Sequence, residues 1–174
     1  MPAIADPSDI LANVQVAADA AFASGVFEDS IREVFQDFDD PEGIGFMYDE
    51  FEKRTVIAIV RFGPLPPLPS PATGEDKVAH FQIVYAVRAE FQGQGRGKRA
   101  VAAAVLRLKN ELFRRGYKFL CLMAIVGNDN APSQKLAAAT IWPNPSDCIE
   151  GVSGLPAKRY LGVFALEPPA AETT

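Results

Sequence analysis

The chain has 174 residues, 48% hydrophobic and 22% charged, with a formal net charge of −5. Those numbers describe one ordinary globular domain with a proper core; no run of 18 apolar residues predicts a transmembrane helix, and the acidic total argues against a nucleic-acid partner. One histidine and two cysteines are too few for a metal site, and the opening MPAIADPSDI lacks the basic and apolar regions of a secretory leader, so the expected location is cytoplasmic, with no membrane partner.

Residues 8–24 read as an Ala-rich helix. The next segment, 27–38, reads as a second, amphipathic helix, because Phe27, Ile31, Val34, Phe35 and Phe38 recur at helical spacing. DDPEGIG breaks it, 45–51 reads as a short strand, and the β-branched run RTVIAIVRF at 54–62 as a firm one. GPLPPLPSPATGED cannot pair in a sheet and is expected to be a stiff connection. KVAHFQIVYAVRAE is then a strand running into a glycine-rich loop, and KRAVAAAVLRLKNELFRRG is the clearest helix, with Val101, Val105, Leu108 and Leu112 on one stripe and Gly116 as its stop. YKFLCLMAIV has the near-continuous apolar pattern of a strand buried on both faces, which makes Cys121 a core thiol. A helix capped by Asp129 or Asn130 with Pro132 in its first turn follows, then a loop holding Cys148, a last strand RYLGVFAL, and a tail from residue 168 expected to be disordered. Residues 1–167 are thus read as a single domain.

Charge is distributed unevenly. Residues 1–50 carry twelve acids against Arg32 alone, whereas 88–118 carry nine bases against Glu90 and Glu111. The basic segment contains the loop FQGQGRGK, where glycines ahead of a helix can bring backbone N–H groups up to a phosphate. It is not a P-loop: Gly97-Lys98 is followed by Arg99, not by a hydroxyl residue, and Gln92 stands where the first glycine belongs. As a dinucleotide fingerprint it offers only the weaker GxGxxA form from Gly95, and the next strand ends in GNDN with no acid clearly placed for a ribose.

Gln92-Gly93-Gln94-Gly95-Arg96-Gly97 does match Q/R-x-x-G-x-G/A, and on this loop the chain resembles the GNAT superfamily of acyl-CoA-dependent N-acetyltransferases. The resemblance covers roughly residues 54–142. It implies an α/β, GNAT-like fold: a mixed central sheet flanked by helices, its two middle strands splayed around the acyl-CoA. It also implies acetyl-CoA as co-substrate, a small-molecule or protein amine as acceptor, direct attack of the amine on the thioester, and leaves a homodimer open. Carried over by position, Val87 would offer its backbone to the pantetheine or the thioester carbonyl. Gln92, Gly93, Gln94, Gly95, Arg96, Gly97 and Lys98 would hold the pyrophosphate, and Asn130 with Ser133 would contact the coenzyme near its reacting end.

Two of the family's catalytic positions are altered. The helix tyrosine that protonates the departing thiolate falls on Ala137, and the position of a strand glutamate base falls on Phe81. His80 and Tyr85 are the remaining catalytic candidates, with Tyr48 and Tyr160 as alternative acids. The acids of residues 29–50 are expected to flank the acceptor side and draw in a cationic amine. A GNAT-like module that binds acyl-CoA without turnover is the competing reading.

Overall fold

The computed structural model describes residues 7–70 and 72–169. Its elements are α1 (Pro7–Ala23), β1 (Glu33–Asp40), β2 (Gly43–Glu52), β3 (Thr55–Pro64), β4 (Val78–Val87), a 3-10 turn (Ala89–Phe91), α2 (Arg96–Arg114), β5 (Phe119–Gly127), α3 (Ala131–Thr140), β6 (Ser146–Ile149) and β7 (Pro156–Ala165). The strands form one sheet in the order β1-β2-β3-β4-β5-β7-β6. Every neighbouring pair is antiparallel except β4 and β5, which α2 joins as a crossover. The expected mixed sheet flanked by helices is therefore present.

Alternation along the strands gives each face its own core. Val60 of β3, Leu122 of β5 and the Val101–Leu108–Leu112 stripe of α2 share one cluster, which also takes in Ala137 of α3. On the other face, Ile59 packs with Leu11, Ala18 and Phe22 of α1. The full burial of Val56, Ile57, Ala58, Ile59 and Val60 reflects a central strand covered on both sides.

The segment 27–38 is not a helix. Residues 33–40 form β1, paired with β2 from Glu33↔Glu50 to Asp40↔Gly43. Its five apolar residues fit a helix in sequence, but only Phe27 and Ile31, which precede the strand, and Val34 pack toward α1. Phe35 stacks on Phe46 with ring centroids 5.8 Å apart, while Phe38 turns to the opposite face and lies across Gly45, where a Cβ would sit 2.3 Å from its ring. Pairing with a neighbouring strand decides the conformation here over local amphipathy. A second correction concerns Cys148, expected in a loop, which lies in the edge strand β6. The tail expected from residue 168 falls, from residue 170 onward, outside the described residues.

The proline-rich connection is anchored by His80. Leu65 N–H donates to the His80 carbonyl at 2.8 Å and Leu68 N–H donates to His80 Nδ1 at 3.0 Å. Nδ1 can accept only when it carries no proton, and burial lowers the pKa below its ordinary value of 6.5. The unfolded chain therefore binds this proton more readily than the folded one, so the contribution is full above pH 6.5 and is lost as pH falls through the depressed folded value. Urea titrations of wild type and His80→Gln across this range should show a shallower acid-side loss of stability in the variant; parallel curves would remove His80 as the cause.

Candidate active site

β4 and β5 are paired only from Val78↔Phe119 to Gln82↔Met123. Beyond that point β4 stays with β3 as far as Val87, and β5 stays with β7 as far as Gly127, so a gap opens in mid-sheet. Leu65 N–H bonds the His80 carbonyl and Arg88 N–H bonds the Ile57 carbonyl, which assigns even-numbered β4 residues to the β3 side. The N–H and C=O groups of Ile83, Tyr85 and Val87 consequently turn toward the gap, the alternation that antiparallel pairing imposes. The Val87 carbonyl is taken by Gln92 Nε2 at 3.0 Å, but its N–H belongs to the gap.

The glycine loop closes one end of this opening. Gly93 and Gly95 have φ of 72° and 73°, so the chain turns through two left-handed residues before α2 begins. Gly95 is the N-cap of α2 and supplies no side-chain cap, and the first helical turn contains no acid. The first N–H groups of a 19-residue helix are thus left without side-chain partners, at its electropositive end. Gly97 lies where β4, α2 and α3 converge, with Val87 Cγ2 only 3.2 Å from where its Cβ would be.

A cavity of about 850 Å³ follows the gap from the loop to α3. Nine of the ten residues expected to hold a coenzyme line it: Val87, Gln92, Gly93, Gly95, Arg96, Gly97, Lys98, Asn130 and Ser133. Gln94 does not; its side chain donates to the Glu90 carbonyl at 3.1 Å, bracing the loop from behind. Arg96 lines the cavity, but its guanidinium already bridges Glu50 (3.1 Å) and Glu52 (2.7 Å) of β2. Lys98 makes no ion pair among the described residues. Asn130 caps α3 by accepting the Ser133 N–H at 3.1 Å, which occupies its carbonyl and leaves its NH2 group. Lys135, Leu136 and Phe91 also line the cavity and carried no sequence motif.

A second cavity, of about 450 Å³, lies deeper in the gap, between β4, β5 and the β6–β7 turn. Tyr85, Asn130 and Ser133 line both cavities. The Tyr85 hydroxyl donates to the Ser133 carbonyl at 3.0 Å, and burial pushes its pKa up to about 12, so it carries its proton at neutral pH. His80, by contrast, lines neither cavity and is committed to the proline-rich connection. Tyr48 is bonded to Glu33 at 2.8 Å, also away from both cavities. Phe81 and Ala137 are core residues, and Ala137, at 0% exposure, leaves no space for a tyrosine at that position.

None of the eight acids of residues 29–50 lines either cavity, and five of them face arginines. Glu33 pairs with Arg107, Asp37 with Arg115, Asp29 with Arg54 and Asp49 with Arg61, besides the Arg96 bridge. Five of those six carboxylates belong to β1 and β2, and four of the five meet Arg96, Arg107 or Arg115 of the basic segment, so the acidic and basic segments largely neutralise each other.

The model of the acetyltransferase (GNAT) family matches residues 13–139, and the chain belongs to that family, whose enzymes use acetyl-CoA. A search of curated protein sequences returned no match. Among solved structures, the chain is similar to the ribosomal-protein-S5-alanine acetyltransferase of Vibrio fischeri, with 17% identity over 71% of this chain and 62% of that one and a TM-score of 0.47. It is also similar to an N-acetyltransferase of Staphylococcus aureus (20% identity, 71% and 68% coverage, TM-score 0.46). The ribosomal-protein-alanine N-acetyltransferase of Brucella melitensis gives 14% identity, 87% and 77% coverage, and a TM-score of 0.46. The chain thus spans less than two thirds of the Vibrio protein's length. No helix among the described residues is long and apolar enough to cross a membrane.

Proposed function

We propose that this chain binds acetyl-CoA in the larger cavity and transfers its acetyl group to a primary amine entering through the smaller one. The observation that carries this reading is the continuity between an uncapped helix N-terminus behind a glycine loop and a mid-sheet gap edged by unpaired N–H groups. The pyrophosphate would meet the amides that open α2, with Lys98 adding charge, and the pantetheine would run along the free edge of β4. The Val87 N–H would then polarise the thioester carbonyl and stabilise the oxyanion that forms on it.

The amine acceptor is a cation in solution and reacts as the neutral amine, its proton released to water. Its nitrogen bonds to the carbonyl carbon, the carbon–sulfur bond breaks, and the thiolate takes a proton as the amide nitrogen loses one. Tyr85 supplies the proton to sulfur: it is protonated, it faces both cavities, and no tyrosine stands at position 137. Tyr85→Phe should lower kcat about 10- to 100-fold while the acetyl-CoA KM changes little, since general acids contribute about 10²- to 10⁴-fold and solvent replaces part of that. Unchanged kcat would remove Tyr85 from the chemistry.

The burial of Phe81 and Ala137 at two positions where the family carries catalytic groups favours one other reading, a coenzyme-binding module without turnover. Thiol release from acetyl-CoA, followed with and without an amine panel, separates the two.

A further inference from the structure

Resting on the acetyl-transfer reading, we infer that the acceptor is an amphipathic primary amine: an ammonium head on an extended hydrocarbon body. The smaller cavity is lined by two carboxylates, Asp129 and Glu150, and by no lysine or arginine. Glu150 accepts the N–H groups of Val152 (3.1 Å) and Ser153 (2.8 Å), which hold its carboxyl below the ordinary carboxylate range, so it is charged at neutral pH. A cation is the head group those walls fit.

Gln82 and Val84 of β4 are walls both of this cavity and of a third one, of about 460 Å³, on the α1 face of the sheet, so the two adjoin across that strand. That compartment is built from Ile10 of α1, Phe38, Met47, Pro64 and the bare backbone of Gly63. Its single cation, Arg61, is already spent on Asp49 at 2.7 Å and on the Tyr48 and Val60 carbonyls at 3.2 and 3.0 Å, so it offers no charge to a ligand. An acid-lined chamber beside the reacting position, next to a nearly uncharged apolar groove with which it shares Gln82 and Val84, fits a molecule with one charged end and one greasy end. Polyamines and aminosugars, polar along their whole length, would leave the groove wet and its walls unused.

The test is kcat/KM with acetyl-CoA for the n-alkylamines from ethylamine to octylamine, with spermidine and glucosamine as polar comparators. Burial of each methylene should raise kcat/KM about fourfold until the groove is full. Gly63→Val supplies the control on the groove: a Cβ there meets nothing within 4 Å and the backbone is ordinary, so the side chain fills the groove without strain. It should collapse the octylamine-to-ethylamine ratio toward one, and Glu150→Gln should raise the KM of all the alkylamines by a similar factor. A kcat/KM independent of chain length, a preference for spermidine or glucosamine, or a ratio untouched by Gly63→Val overturns the inference while leaving acetyl transfer standing. Coenzyme binding without thiol release for any amine overturns acetyl transfer, and this inference with it.

Discussion

Gly95→Val should abolish coenzyme binding, weakening affinity by at least about 100-fold, while the protein remains folded. Gly95 sits at φ 73° as the N-cap of α2. A β-branched residue forced into that left-handed conformation costs about 1–3 kcal/mol, and the loop escapes the strain by moving. Any such movement turns the first N–H groups of α2 away from the common point on which a pyrophosphate depends. Global stability should survive, because the strain is smaller than the usual 5–15 kcal/mol and the core stripe of α2 begins at Ala100 and Val101, past the loop. Calorimetry with CoA reads the affinity and circular dichroism the fold. Wild-type affinity in the folded variant would mean that the phosphates bind elsewhere.

The loop was legible because its chemistry is local: glycine spacing, a following helix and the lack of a phosphate-loop hydroxyl are all contiguous in sequence. The same holds for α2, β5 and α3, whose periodicities are undisturbed. The misreading of 27–38 has the opposite origin. Phe35 and Phe38 are sorted to the two faces of a sheet by pairing with Tyr48 and Gly45 of β2, and nothing within 27–38 itself announces that partner. The site residues divide in the same way. Gly93, Gly95 and Gly97 shape the backbone of the loop, which the motif's spacing specifies, and all three line the cavity. His80 looked available because it is the only histidine, but its role is set by a connection that folds back onto it. Glu33, Asp37 and Glu50 looked unpaired because their arginine partners lie 46 to 78 residues away in the chain.

That long-range pairing gives Arg96 and Lys98, two residues apart on the same helical turn, different work. Arg96 stacks 5.7 Å from the Phe91 ring centroid and forks onto Glu50 and Glu52, joining the start of α2 to the end of β2. The Glu50 side chain is only 16% exposed, and its Oε2 is buried without a hydrogen-bond partner, so removing the guanidinium leaves a carboxylate there without its counter-charge. Arg96→Met should therefore cost about 3 kcal/mol of stability, the low end for breaking a buried pair, since Arg96 is partly open to water. For a chain of this size that lowers Tm by about 6–12 °C. Adding Glu50→Gln should restore much of the loss, because it removes the stranded charge. Lys98→Ala should do the reverse: little change in Tm, a CoA affinity weakened about three- to tenfold, and a shallower dependence of that affinity on salt. Thermal melts and CoA titrations at two ionic strengths on both variants decide the matter. If Arg96→Met proves neutral in Tm and Lys98→Ala neutral in affinity, then the bridge to β2 is ornamental and the phosphates are held by backbone alone.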